Sequence, residues 1–196
     1  MLKRFLQLFF VVTLLFALNS CGNSNDHCGA SVYLLSNSCK HLRWAAPPVK
    51  ISIDSLDGPA HAVALAAAEN WEIAVGRQIF HFVPAPQSNG SIVFTDEADW
   101  PATGASLRAA AHTKYQFGDK YLIHAVIYIN AGKTFALDGT QPGIDLETVI
   151  THELGHVLGL GHTKSPNSIM YPELSPGVSK EITDPDLDLL LRLYGW

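Results

Sequence analysis

HELGHVLGLGHTKSPNSIMYP, residues 152–172, gathers three histidines, a glutamate, spaced glycines and a methionine followed by Tyr171-Pro172. His152 and His156 are four residues apart, so on a helix their imidazoles leave one face, one turn above the other. Two neutral imidazoles placed in this way can share a zinc ion. Glu153 is displaced around the helix and reaches past such an ion, which suits a general base acting on zinc-activated water. A straight helix offers no third ligand from the right direction. Gly159 lies three residues beyond His156, where a left-handed residue can end the helix, and Leu160-Gly161 then turns His162 back toward the metal. Three protein ligands leave one coordination position open, the arrangement of catalytic rather than structural zinc. Leu154, Val157 and Leu158 are expected to face a core and hold the helix still. An amphipathic helix with surface histidines would account for the first pair, but not for Gly159, His162 and Met170 together.

Working outward, the helix that carries this motif is expected from Asp145, its N-cap, to about Leu158. Upstream, Val49, Ile51 and Ile53 alternate with polar residues and read as a strand. A helix over His61–Val75 places Ala64, Leu65, Ala68, Trp71 and Val75 on one face. Ile79–Val83 and Ser91–Thr95 read as further strands, and YLIHAVIYIN, residues 121–130, as the strongest one. Leu107–His112 fits a short strand or an irregular edge. A last helix is expected from Asp184, its cap, with Pro185 in the first turn, to about Leu193. Strands first, with helices crossing and closing, give an α+β class: a mixed twisted sheet with an active-site helix and a C-terminal helix.

The chain has 196 residues, 47% of them hydrophobic, and a formal net charge of -5. That content can bury a core, and the absence of a basic excess argues against a nucleic-acid partner. Residues 1–20 read as a targeting segment, with Lys3 and Arg4 ahead of an apolar run from Phe5 to Leu18 that is short for a membrane span. Leu18-Asn19-Ser20-Cys21 resembles the lipobox of bacterial lipoproteins, which implies cleavage before an acylated Cys21. Residues 21–44 are then expected to be a spacer and residues 45–196 the folded domain. In an exported compartment, Cys28 and Cys39 can pair as a disulfide; two unpaired thiols in a spacer is the other reading.

His152-Glu153-x-x-His156-x-x-Gly159-x-x-His162 resembles the zinc signature of the metzincin metallopeptidases. Ser168-Ile169-Met170-Tyr171-Pro172 looks like the Met-turn of that clan, with Met170 beneath the metal. Thr163 after the third histidine, the Met-Tyr-Pro sequence and Arg192-Leu193-Tyr194-Gly195 make the likeness strongest to the matrixins, the matrix metalloproteinase-like family. It is strong over residues 145–196 and weaker upstream. The resemblance implies a monomeric endopeptidase with one catalytic zinc, acting on an extended protein or peptide substrate. It places the substrate along an edge strand, here around Ala105–Ala111, with Tyr171, Pro172 and Leu174 at the side-chain pocket. Leu174 stands where many matrixins have tyrosine.

The departures from the family are also legible. Matrixins carry a structural zinc and calcium loops. His112 and His124 fall near two of the expected structural-zinc histidines, but no His-x-Asp element accompanies them, and AVIYIN replaces an acidic run. This argues against a second zinc or a calcium ion and for ordinary strand histidines. No Pro-Arg-Cys-Gly segment of the family's latency propeptide occurs. Pro172 occupies the place of the astacin tyrosine ligand, so Tyr171 is not expected to bind metal. The leading expectation is a secreted, lipid-anchored zinc endopeptidase of the cell envelope, outer membrane or exterior. The alternatives are a cell-surface binding protein with little turnover and a hydrolase of non-protein amides.

Overall fold

The computed structural model describes residues 28–137 and 142–196, together with the backbone of residues 10–13. In chain order the elements are β1 (Phe10–Thr13), β2 (Val49–Ser52), α1 (Gly58–Val75), β3 (Phe80–Phe82), β4 (Gly90–Thr95), β5 (Ala111–Gly118), β6 (Tyr121–Asn130), β7 (Phe135–Ala136), β8 (Ile144–Asp145), α2 (Leu146–Val157) and α3 (Asp184–Tyr194). Six strands form one mixed sheet in the order β1-β5-β6-β4-β2-β3. β4 runs parallel to both β2 and β6, and β2 is parallel to β3. β5 is antiparallel to β6, and β1 is antiparallel to β5 on the outer edge. β7 and β8 make a small parallel pair that leads into α2.

α1 and α2 pack together over the sheet. α1 has Pro59 in its first turn and ends on Gly76 at φ 73°. It buries Ala60, Val63, Ala64, Ala67, Ala68 and Trp71. Leu65, expected on that face, is 40% exposed instead. Four alanines on the buried side let the helix lie close to α2, and the large Trp71 fills the space at their end. β5 is longer than the short edge read at Leu107–His112. Thr113 and Tyr115 are buried while the alternate residues Lys114 and Gln116 are half-buried, a period-two pattern that continues through the polar residues.

Two boundaries differ from the sequence reading. A spacer was expected over residues 21–44, yet Leu34, Leu42 and Trp44 are buried in the main core. A disulfide joins Cys28 to Cys39. The physical reason is that the apolar residues of this Ser/Asn-rich stretch are aligned by a hairpin, with Leu42 N donating to Leu34 O at 2.8 Å. Cys21 lies outside the described residues. The second difference is at α3, where Asp184 is the first helical residue and Thr183 is the cap. Asp186 reaches back to accept from Thr183 N at 3.0 Å.

No helix among the described residues is long and apolar enough to cross a membrane.

Candidate metal centre

Asp145 caps α2, accepting from Thr148 N at 2.7 Å, which fixes where the helix starts and hence which residues face inward. Every residue from Leu146 to Val157 except Glu147 is buried, so α2 runs through the middle of the molecule. His152 and His156 project from it, and the chain turns after Val157 to return His162. The three rings lie 4.6, 5.3 and 4.8 Å apart between centroids. One nitrogen from each falls within 4.8 Å of the others. His156 Nε2 and His162 Nε2 are 3.2 Å apart.

The outer ring nitrogens of the two helix histidines face carbonyls. His152 Nδ1 is 2.6 Å from Ile169 O, and His156 Nδ1 is 2.8 Å from Leu160 O. A carbonyl accepts only, so these contacts assign the proton to Nδ1 and leave Nε2 as a bare lone pair pointing inward. His152 Nε2 is buried with no protein partner. Burial pushes the pKa of His152 and His156 well below the ordinary value, and each is lowered further by its histidine neighbours. Burial takes His162 down to about 4. Two neutral imidazoles with inward lone pairs, one of them orphaned in the interior, and a third neutral ring turned toward them suit a divalent cation.

Glu153 is fully buried beside them. Its Oε2 accepts from Thr113 Oγ1 at 2.5 Å, while Oε1 has no protein partner. Burial raises its pKa to about 8, against the smaller opposing effect of the Thr113 hydroxyl. That value belongs to the pocket without a cation, and a divalent charge alongside would favour the carboxylate.

Three segments distant in sequence support the ligand helix. Met170 is fully buried under it, and a Cβ on Gly155 would lie 2.3 Å from the Met170 sulfur. Only glycine between the two ligands admits the thioether this closely. Ile169, Met170 and the preceding Ser168 are anchored by the buried Asp186. Its carboxylate accepts from Ser168 Oγ, from Ile169 N at 3.1 Å and from Thr183 Oγ1 at 2.6 Å. The carbonyls of α2 receive indole and phenol donors. Trp71 Nε1 donates to Thr151 O at 2.8 Å, Trp44 Nε1 to Val157 O at 2.7 Å and Tyr194 OH to Leu158 O at 3.0 Å. The last two satisfy carbonyls that a helix end leaves without intrahelical partners.

The matrixin family profile matches residues 61–195. The chain belongs to the matrixin family. It is 40% identical over 75 residues to metalloendoproteinase 1-MMP of Arabidopsis thaliana, covering 35% of this chain and 21% of that protein. Human matrilysin is 40% identical over 60 residues, 30% of this chain and 22% of its own length. Karilysin of Tannerella forsythia is 32% identical over 79 residues, 40% of this chain and 16% of its own length. The chain thus spans about a fifth of the length of the curated relatives it matches. Matrixins are zinc metallopeptidases, and the three-histidine group is the one set of convergent metal-capable side chains among the described residues.

The other residues of interest in this matrixin are placed as follows. His112 lies on β5 opposite Tyr128, and His124 on β6 lies opposite Gln116. They sit four rungs apart along the ladder, roughly 13 Å, which is beyond the reach of a shared ion. Tyr171 and Pro172 are half-buried beyond the metal turn, and Lys180 Nζ lies 4.6 Å from the Tyr171 ring centre. Leu174 was expected at the wall of a pocket, but it is only 3% exposed and packs with Ala110, Ala111, Ile144 and Val149. A leucine lacks the hydroxyl that would draw a tyrosine tip toward water, so it closes into this cluster. Among the expected edge residues 105–111, only Ala111 belongs to β5. Asp186, Trp44 and Thr113 were not singled out in the sequence, and Trp71 was read only as a core residue of α1. For Asp186 a signal existed, since Thr183-Asp184-Pro185-Asp186 spaces a capping pair.

Proposed function

We propose that the protein is an exported zinc endopeptidase whose metal is held by His152, His156 and His162, with Glu153 as general base. The observation that carries this reading is the convergence of three neutral imidazoles, two buried and the third half-buried, beside a carboxylate oxygen that has no protein partner. Zinc bound there supplies Lewis acidity toward a scissile carbonyl and lowers the pKa of a water. The chain's own groups do the rest. Ile169 O and Leu160 O fix the tautomers of His152 and His156. Thr113 holds Glu153 through Oε2, which leaves Oε1 to take a proton from the attacking water and return it to the leaving amine. Burial of Glu153, His152 and His156 limits competition from bulk water for that transfer.

An extended substrate would add along the outer side of β5 by main-chain pairing. The chain's own residues 10–13 lie antiparallel there, opposite His112–Tyr115, which supports an edge able to accept a strand. Tyr171 and Pro172 would border the side-chain pocket, with Leu174 behind them as its floor. We further propose that residues 1–20 direct export and that Cys21 carries lipid, anchoring the enzyme at the cell envelope. The Cys28–Cys39 disulfide supports an oxidising compartment.

The test uses the purified full chain on gelatin or casein, with and without a chelator, beside Glu153→Ala. Cleavage is expected only from the untreated wild type. Cleavage that survives chelation or the substitution would overturn the reading, and zinc binding without cleavage of any peptide would favour a binding protein on this fold.

A further inference from the structure

The third ligand arrives on a turn, and that turn is held by a part of the chain outside the family match, which begins at residue 61. Residues 28–42 form a hairpin closed by the Cys28–Cys39 disulfide, with Ser36 N donating to Lys40 O at 2.9 Å and Leu35 bridged to His41. One side of the hairpin lies antiparallel to the metal turn. Leu34 N donates to Gly159 O at 2.9 Å, Gly161 N donates to Val32 O at 2.8 Å, and Tyr33 is bridged to Leu160.

The two glycines of the turn are the places where backbone meets backbone. Gly159 adopts φ +100°, and a Cβ there would lie 2.2 Å from Leu42 O. A Cβ on Gly161 would lie 3.1 Å from Ser31 O and from the carbonyl carbon of Val32. Between them Leu160 turns its carbonyl to His156 Nδ1, and the residue after Gly161 is His162. The hairpin therefore grips the one peptide that both orients the second ligand and delivers the third.

We propose that the disulfide-closed hairpin is a redox-sensitive brace on the metal site: with Cys28 and Cys39 joined the protein retains its metal, and on reduction the brace loosens and the metal is released. Cys28 and Cys39 are positioning residues here, acting on His156 and His162 through Val32–Leu34. The disulfide closes a loop with a sequence separation of 11, so without it the hairpin depends on its few cross-strand bonds and on Leu34 and Leu42. Reduction by a trialkylphosphine breaks the S–S bond, delivers two electrons to give two thiols with protons from water, and leaves the phosphine oxide.

This inference rests on the three-histidine group binding zinc, and the experiment separates the two. Zinc-loaded full chain is mixed with a chromophoric chelator before and after treatment with a water-soluble phosphine, which reduces disulfides without the zinc affinity of a dithiol. Far-ultraviolet circular dichroism is recorded on each sample, and thiol titration confirms two new thiols. Zinc release should accelerate roughly 10–100-fold on reduction, the range seen when groups that orient metal ligands are removed. Ellipticity should be retained. The C28S/C39S double variant should release zinc at the fast rate from the start and show no phosphine effect. Gly161→Ala, which pushes on the hairpin from the other side, should speed release with the disulfide intact, so the idea remains testable if the double variant does not fold. An unchanged release rate after full reduction overturns the brace. So does zinc loss that only accompanies loss of ellipticity, because the bond would then be a general staple. Failure of the oxidised chain to bind one zinc overturns the metal reading instead.

Discussion

Replacing Asp186 by alanine tests whether the turn beneath the metal is held from α3. The carboxylate accepts from Ser168 Oγ, Ile169 N, Thr183 N and Thr183 Oγ1, and the residue is fully buried. The two bonds to residues 168 and 169 lie in the interior, where each donor left unpaired costs about 1–3 kcal/mol. The two at Thr183 cap the helix nearer solvent, and losing that cap costs about 0.5–2 kcal/mol. Asp186→Ala should therefore destabilise the metal-free protein by about 2.5–8 kcal/mol, a large part of the roughly 5–15 kcal/mol that holds a domain together. Asp186→Asn can keep its oxygen in the place of Oδ2, which serves three of the donors, and should cost only about 1–2 kcal/mol. The measurement is urea unfolding of the chelated protein followed by circular dichroism. Because Ile169 O orients His152, zinc affinity measured by chelator competition should also fall, roughly 10–100-fold in the alanine variant. A loss smaller than about 1 kcal/mol would mean the network adds nothing beyond solvation. Lost stability with unchanged zinc affinity would mean that residues 168–170 are set by something other than Asp186.

Glu153→Gln keeps the shape of the buried side chain but cannot accept a proton, so turnover should fall by about 10²–10⁴ while one zinc still binds, as read by kinetics and metal analysis. In the chelated wild type the pKa of Glu153, raised from 4.5 to about 8, favours the protonated folded state, so its contribution to stability should decline as pH rises between those values and level off above 8. The glutamine variant should lack that decline in a series of melting curves. Gly159→Ala places a Cβ against Leu42 O in a left-handed conformation, and about 2–4 kcal/mol of strain and lost packing should appear in urea unfolding. The pKa values of the three histidines are depressed in the folded, metal-free chain, so the unfolded chain binds protons first. The histidines' contribution to the stability of the chelated protein is therefore full above pH 6.5 and should fall from there toward pH 4, whereas zinc-loaded protein should resist across the upper part of that window.

The ligand helix and its turn were legible because their signals are local. Histidines at i and i+4, a cap at Asp145 and a glycine at the helix end each act within one or two turns of chain. The long strand β6 was legible for a similar reason, its apolar run being dense. What could not be read was pairing at a distance. β5 mixes Lys114 and Gln116 into its alternation, so its strand character shows only once β6 lies beside it. The apolar side chains of residues 31–44 follow no regular period, and Leu34, Leu42 and Trp44 count as core only after the hairpin sets them on the metal turn. Leu174 was placed by analogy with an open pocket, but local packing with Ala110 and Val149 draws it inside.

That division between local and distant signals also explains how the site stays rigid. A motif determines which atoms can bind a metal, but a helix end exposes carbonyls that water would otherwise claim and would let the last turn fray. Here Val157 O is taken by Trp44, Leu158 O by Tyr194, Gly159 O by Leu34 and Leu160 O by His156 itself. Three of those four partners come from the N-terminal hairpin segment or the last helix, well outside the motif. A bare zinc motif transplanted without them would keep its ligands but lose the turn that aims His162. The metal should then bind weakly even with all three histidines present, because the free energy of ordering the turn would fall on the ion alone.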